Sequence, residues 1–211
     1  MVIIPGVQHE NELLECGYTH IAGVDEAGRG AWAGPLFAAA VLLPLTRPDL
    51  GALLDGVRDS KTLTPHRREV LYDTIVEVAL AHGVGSASQQ EIDQHGVVPA
   101  TRRAMLRALA QLSIPPEVLL IDYVKLQESH LPQRNLMKGE DQSLSIAAAS
   151  IIAKVSRDRF MIEQEKVHPD YGFARHKGYG TLQHRYALAS LGVCPLHRRS
   201  FAPVRRRLEG V

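Results

Sequence analysis

A short apolar strand pattern, Tyr18 to Val24, delivers two adjacent carboxylates, Asp25 and Glu26, into a glycine-rich turn, Ala27-Gly28-Arg29-Gly30. No other segment constrains the chain as strongly. Neighbouring acids at a strand end repel each other, and neither carboxylate is buried cheaply. A hard divalent cation such as Mg²⁺ removes the conflict, because it prefers carboxylate oxygens. The glycines let backbone N–H groups approach a ligand closely, and the guanidinium of Arg29 offers a fork that suits phosphate. Metal-holding carboxylates beside a phosphate-reading loop point to phosphodiester chemistry. The competing reading is a polar turn after an edge strand.

The rest of the chain alternates strand and helix signals. Leu36 to Leu43 is a continuous apolar run stopped by Pro44, which predicts a buried strand. Thr64-Pro65 reads as an N-cap and first-turn proline, opening a helix whose inward face carries Val70, Leu71, Ile75, Val78 and Ala79. Val84 to Ala87 is a short strand candidate. Ser88-Gln89-Gln90-Glu91 matches a capping box. Pro99 opens a helix carrying Met105, Leu106, Leu109 and Leu112, and Val118 to Ile121 is a buried strand that ends at Asp122. The longest helical pattern runs from Leu144 to about Val167, and its Ala147-Ala148-Ala149-Ser150 run would let it lie close against a sheet. Gly172, Gly178 and Gly180 form a loop before a last helix, Thr181 to Leu191, stopped by Gly192. The pattern is that of an α/β fold with one layered core.

At 211 residues, 45% hydrophobic and 22% charged, the chain suits one ordered globular unit rather than a disordered one. Cys16 and Cys194 are far apart and lack metal-site spacing, so neither a disulfide framework nor a zinc site is expected. No apolar stretch approaches a membrane span and no leader pattern opens the chain, so a cytoplasmic protein is the default expectation. The net charge of +1 hides an asymmetry: beyond Tyr171 the only acid is Glu209, against Arg175, Lys177, Arg185, Arg198, Arg199 and Arg205 to Arg207. Such a tail suits a polyanion. A solvated charge run fits the Arg205–Arg207 cluster equally well.

Further acids follow the same logic. Asp122 ends an apolar strand, and Glu140 and Asp141 precede the long helix. Alone, Asp122 reads equally as a turn residue, and Glu140 and Asp141 as helix N-terminal charge. Together with Asp25 and Glu26 they form a set that would repel strongly without Mg²⁺ or Mn²⁺.

In combination, Gly23–Gly30, Asp59-Ser60-Lys61, Leu120-Ile121-Asp122, Lys138-Gly139 followed by Ser143–Lys154, and His176-Lys177-Gly178-Tyr179 resemble bacterial ribonuclease HII, in family order and over nearly the whole chain. The resemblance implies an RNase H-like fold, a mixed central sheet flanked by helices, in one catalytic domain over residues 1–211. Residues from about 168 would form its helical, basic, substrate-binding part. It implies cleavage of the RNA strand of RNA–DNA hybrids, and incision 5′ of single ribonucleotides embedded in duplex DNA. The ends would be 5′-phosphate and 3′-hydroxyl, with a role in ribonucleotide removal during replication and repair.

By motif, Asp25, Glu26 and Asp122 match metal-binding carboxylates. Glu140 stands where the family usually has Asp, with Asp141 beside it as the alternative. Gly28, Arg29, Gly30 and Tyr179 match residues used at the ribonucleotide–deoxyribonucleotide junction, and an ordinary half-buried tyrosine is the other reading of Tyr179. Lys61 and Lys177 are candidate phosphate contacts, and His176 and His184 are either that or satisfied surface histidines. Two Mn²⁺ or Mg²⁺ ions would serve such a site, and a monomer is expected. The type III ribonuclease H family is the nearest rival, but it typically lacks an arginine between the loop glycines. A non-catalytic nucleic-acid-binding module on the same scaffold would be expected to lose a carboxylate, and none is missing here.

Overall fold

In a computed structural model, which describes residues 3–210, five strands form one mixed sheet. The strands are β1 (Ile21–Ala27), β2 (Leu36–Leu42), β3 (Ala81–Ala87), β4 (Val118–Asp122) and β5 (Gln133–Leu136), in the order β3-β2-β1-β4-β5. β2 runs antiparallel to β1 and β3, whereas β1, β4 and β5 are parallel. The helices are α1 (Gln8–Glu15), α2 (Leu50–Leu53), α3 (Pro65–Val78), α4 (Gln89–His95), α5 (Val97–Ala110), α6 (Leu144–Val167), α7 (Phe173–His176), α8 (Leu182–Leu191) and α9 (Ala202–Glu209).

The strand period sorts side chains to two faces. Ala22, Val24, Ala38, Ala40, Leu119 and Ile121 meet α5, and Ala27, Ala39 and Val41 meet α6 and α3. Both helices approach the sheet where it has no side chain. A Cβ on Gly23 would lie 2.2 Å from the Ser145 carbonyl carbon, and one on Gly85 would lie 2.2 Å from the Ala104 carbonyl oxygen. The Ala147–Ser150 run is buried throughout, as its composition predicts.

Local signals held at the caps. Thr64 accepts from the Arg67 N–H with Pro65 in the first turn, and Ser88 with Glu91 forms a complete capping box. Other details differ from expectation. β1 reaches Ala27 rather than stopping at Val24, because β2 pairs with it through Asp25↔Ala39, Glu26↔Ala38 and Ala27↔Phe37. Asp25 and Glu26 are therefore inside the central strand and not in a turn after an edge strand. On α3, Leu71 and Ile75 are buried but Val70 is 40% exposed. Arg68 takes the inward place, donating to the carbonyls of Ser60 (2.8 Å) and Leu63 (2.6 Å). β5, polar in sequence, is an edge strand that no apolar run announces. Both cysteines are free thiols.

The start of α6 is fixed from two directions. The Ser143 hydroxyl accepts from the Ile146 N–H, and the buried Glu10 carboxylate of α1 accepts from Ser143 Oγ (2.6 Å) and the Ser145 N–H (3.0 Å). A carboxylate at a helix N-terminus is favoured by the macrodipole.

Gly23→Ala should test the close approach of α6. Its methyl would overlap backbone, which cannot swing aside, so a loss of at least about 2–3 kcal/mol is expected in urea unfolding. Gly17→Ala, which meets no atom within 4 Å but has φ +93°, should cost less, about 1 kcal/mol from backbone strain alone.

Candidate active site

The parallel seam between β1 and β4 positions the acids. Val24 pairs with Ile121, so the next residues, Asp25 and Asp122, stand level at the same end of the sheet. Asp25, Glu26 and Asp122 each offer a carboxylate oxygen, and these oxygens lie within 4.8 Å of one another. Asp25 Oδ1 accepts from the Glu26 N–H (2.6 Å), and Asp122 Oδ1 accepts from the Gly139 N–H (2.8 Å). The second bond ties β4 to the tight turn Gly139–Asp141, which brings Glu140 to the cluster.

Glu140 is buried, and its Oε1 accepts from Lys61 Nζ at 3.0 Å. Asp141 in the same turn is half-buried, and the Glu140 charge acts on both Asp25 and Asp122. Burial and the charges of Glu26, Asp122 and Glu140 hold the Asp25 pKa well above the usual carboxylate range. Burial also raises Glu26, against the opposing pull of Arg29, and raises Asp122. Oε2 of Glu26 and Oε2 of Glu140 are buried without a hydrogen-bond partner. Convergent oxygens, raised pKa values and orphaned acceptors are what a divalent cation would satisfy, so the residues present fit one.

Around the acids runs a cavity of about 320 Å³ lined by Gly28, Arg29, Gly30, Ser60, Lys61, Lys154 and Tyr179. Gly28, Arg29, Gly30, Lys61 and Tyr179 thus share one cleft, but Arg29 is not free in it: Nη1 donates to Glu26 Oε1 at 3.1 Å. Lys61 is held above the cleft because Asp59 accepts its N–H, while the Ser60 hydroxyl is bonded to Ser150 of α6 at 2.8 Å. The half-buried Tyr179 ring lies 5.3 Å from Lys154 Nζ and 5.2 Å from the Arg157 guanidinium carbon.

Lys154 and Ser60, to which the sequence motifs give no role, also line this cleft. The (i, i+4) pairing of Lys154 with Asp158, 2.7 Å in the structure, was the available signal. Lys177 lines an adjoining cavity of about 260 Å³ with Arg68, Lys154, Arg175, Asp158 and Tyr179.

The histidines depart from expectation. His176 and His184 are buried, not at the surface, and their rings stack 4.4 Å apart. His184 Nδ1 meets the Tyr179 carbonyl at 3.0 Å, His184 Nε2 meets His197 Nε2 at 3.1 Å, and His197 Nδ1 accepts from the Cys194 N–H at 3.0 Å. Only one proton arrangement serves all three contacts. His197 donates from Nε2 and His184 donates from Nδ1, both rings being neutral. Burial agrees, pushing His184 and His197 down to about 4. His184 and His197 thereby hold the Tyr179 loop from below. Arg205 to Arg207 sit on α9, where Arg207 donates to the carbonyls of Leu188 and Ala189 and so pins α9 to α8.

The family model for ribonuclease HII matches residues 22–204. The chain belongs to the ribonuclease HII family. It is 54% identical over 203 residues to the ribonuclease HII of Roseiflexus castenholzii, covering 95% of this chain and 89% of that one. Its fold superposes on ribonuclease H2 from Pyrococcus horikoshii with a TM-score of 0.76 at 27% identity, over 90% of this chain and 97% of that one. It also superposes on Bst-RNase HIII in complex with Mn²⁺, with a TM-score of 0.69 at 21% identity, over 91% of this chain and 70% of that one, a likeness of fold alone. The protein is therefore a ribonuclease H, a hydrolase of RNA in RNA–DNA hybrids, and its acidic cluster fits the divalent metals of that family. Among the described residues no helix is long and apolar enough to cross a membrane.

The raised carboxylates carry a sign. A carboxylate whose folded pKa exceeds its unfolded value binds more protons when folded, so stability falls as pH rises from the unfolded pKa through the folded one. Asp25→Asn should therefore melt above wild type at pH 7 without metal, each kcal/mol of relieved repulsion showing as about 2–4 °C. It should also lose most of the stabilisation that Mn²⁺ gives wild type. An unchanged response to Mn²⁺ in calorimetry would remove Asp25 from the site.

Proposed function

We propose that the protein cuts on the 5′ side of a ribonucleotide, including a single one embedded in duplex DNA, leaving a 3′-hydroxyl and a 5′-phosphate. One juxtaposition carries the reading: Asp25, Glu26 and Asp122 share a cavity with the Gly28-Arg29-Gly30 turn on one side and Tyr179 on the other. Asp25, Glu26, Asp122 and Glu140 are assigned as the catalytic carboxylates, the first three as metal ligands. Bound there, Mg²⁺ or Mn²⁺ would supply the charge that activates a water and stabilises the leaving 3′-oxygen.

The chain's own residues do the rest. The Gly28-Arg29-Gly30 backbone approaches the sugar closely enough to hydrogen-bond a 2′-hydroxyl, the group that separates RNA from DNA. Tyr179 packs on the sugar of the following nucleotide, where a deoxyribose fits and an added hydroxyl would clash. Lys61 and Lys177 take backbone phosphates, which fix register without reading sequence. The part beyond residue 168, with exposed Arg185, Arg205 and Arg206, extends the contact to more of the duplex. We assign the protein to ribonucleotide removal in replicated DNA, acting as a cytoplasmic monomer.

Asp122→Asn should lower cleavage of a duplex with one ribonucleotide by at least about a thousandfold, the worth of several kcal/mol in the transition state, with folding intact by circular dichroism. Glu140→Gln should cost far more than Asp141→Asn, and the reverse order would move the fourth carboxylate to Asp141.

Tyr179→Ala should lower activity on the single ribonucleotide by about ten- to a hundredfold, the range of a stacking-type contact. Cleavage inside a continuous RNA strand, where no deoxyribose follows, should fall much less. Equal losses on the two substrates would make Tyr179 structural.

A further inference from the structure

Two arginines lie beneath the loop between β1 and β2, with Asp158 near one and Asp93 near the other but neither in an ion pair with them. Arg157 of α6 and Arg198, between α8 and α9, are completely buried, and neither makes an ion pair among the described residues. Their donors go to loop carbonyls. Arg157 donates from Nε to Pro35 O (3.0 Å) and from Nη2 to Ala33 O (3.2 Å). Arg198 donates from Nε to Gly34 O (3.0 Å), from Nη1 to Arg29 O (2.8 Å), and from its backbone N–H to Trp32 O (2.8 Å).

This arrangement is expensive. Each guanidinium keeps one buried nitrogen without a partner, Nη1 of Arg157 and Nη2 of Arg198. Burial and the neighbouring Arg157 charge pull Arg198 down to about 9, and burial lowers Arg157 as well. Apolar replacement of buried charge is often neutral or stabilising, so stability alone does not account for the pair.

The carbonyls they hold do account for it. A trans peptide is planar, with its C=O and N–H pointing in opposite directions. Arg198 draws the Arg29 carbonyl inward, so the Gly30 N–H of the same peptide points away from it, toward the cavity that Gly28, Arg29 and Gly30 line. The N–H groups of Ala31, Trp32, Ala33 and Gly34 are used by the carbonyls of Gly28, Gly178 and Leu196. No hydrogen bond among the described residues uses the N–H of Gly28, Arg29 or Gly30. Successive unpaired N–H groups form a concavity suited to oxygen ligands.

We infer that Arg198, with Arg157 under the same loop, is a positioning residue: by holding the Arg29 carbonyl it turns the Gly30 N–H into the cleft, where it meets the 2′-hydroxyl of the substrate. This rests on the junction reading proposed above. A guanidinium is needed because its rigid fork reaches the carbonyls of Arg29 and Gly34 together, whereas an ammonium is a single point of charge.

The test compares Arg198→Lys and Arg198→Met with wild type. One readout is the shift and hydrogen exchange of the Gly28, Arg29 and Gly30 amides by NMR. The other is the ratio of affinities for a duplex with one ribonucleotide and the same duplex in all-DNA form, measured in an Asp122→Asn background so that nothing is cut. Both variants should melt cooperatively, shift the Gly30 amide and lower the ratio by about tenfold, the worth of one good hydrogen bond. Affinity for the all-DNA duplex should change little.

A wild-type ratio and amide in Arg198→Lys would mean that charge alone suffices, and would overturn the inference. Loss of cooperative melting in both variants would also overturn it, by making Arg198 a core residue. A wild-type protein without preference for the ribonucleotide would sink the junction reading instead, and the amide readout would then decide the role of Arg198 by itself.

Discussion

Like charge held at the end of a parallel seam is the constraint on which the rest of this structure depends. Where the pairing of β1 with β4 ends, Asp25 and Asp122 stand level, and Glu26 and Glu140 close in beside them. Burial first, and then the nearness of like charge, disfavours their ionised forms and raises the pKa values of Asp25, Glu26 and Asp122. Such a cluster stays together only on a scaffold that cannot spread. Each acid is accordingly attached to rigid backbone: Asp25 lies in a strand paired on both sides, and Asp122 is bonded to the Gly139 N–H.

The scaffold resists spreading because α6 touches β1 at Gly23 with no side chain between them. At Gly23, two residues before Asp25, the backbones of β1 and α6 are close enough to exclude a methyl group. The turn that carries Glu140 runs directly into α6, and Ser60, beside Lys61, is bonded to Ser150 on the same helix. The separation of α6 from β1 thus sets the place of Glu140 and Lys61 relative to Asp25. Packing and the site are one problem here, and a methyl group at residue 23 would disturb both.

Much of this was legible in the chain. Apolar runs marked β2 and β4, capping residues marked α3 and α4, and the small-residue stretch marked the close face of α6. The acids Asp25, Glu26 and Asp122 could be picked out because carboxylates after apolar strands are costly without a purpose. What escaped has a physical reason in each case. β5 is held by its pairing with β4 rather than by apolar alternation. Arg68 points inward because carbonyls, not hydrophobic neighbours, await it. His184 and Arg198 look like surface residues in a basic tail, since sequence gives no hint that main-chain groups far away in the chain will satisfy them.

Positive charge near the cleft falls into distinct classes, and the division bears on how a polyanion is met. Lys61 and Arg29 are paired with Glu140 and Glu26, the Lys61 side chain being 73% exposed and that of Arg29 33%, so both heads have room to move toward a phosphate. Arg157 and Arg198 are buried, each guanidinium fixed by two carbonyls, and have no such freedom. The Tyr179 carbonyl, by contrast, is held through neutral rings: His184 and His197 pass a single chain of hydrogen bonds from the Cys194 N–H to it. A charged His184 would place a donor against a donor at the His184–His197 contact, and a charged His197 would do so against the Cys194 N–H. Keeping these rings neutral lets the Tyr179 loop be held by directional bonds, while the mobile cations stay at the mouth of the cleft, where counter-charge arrives.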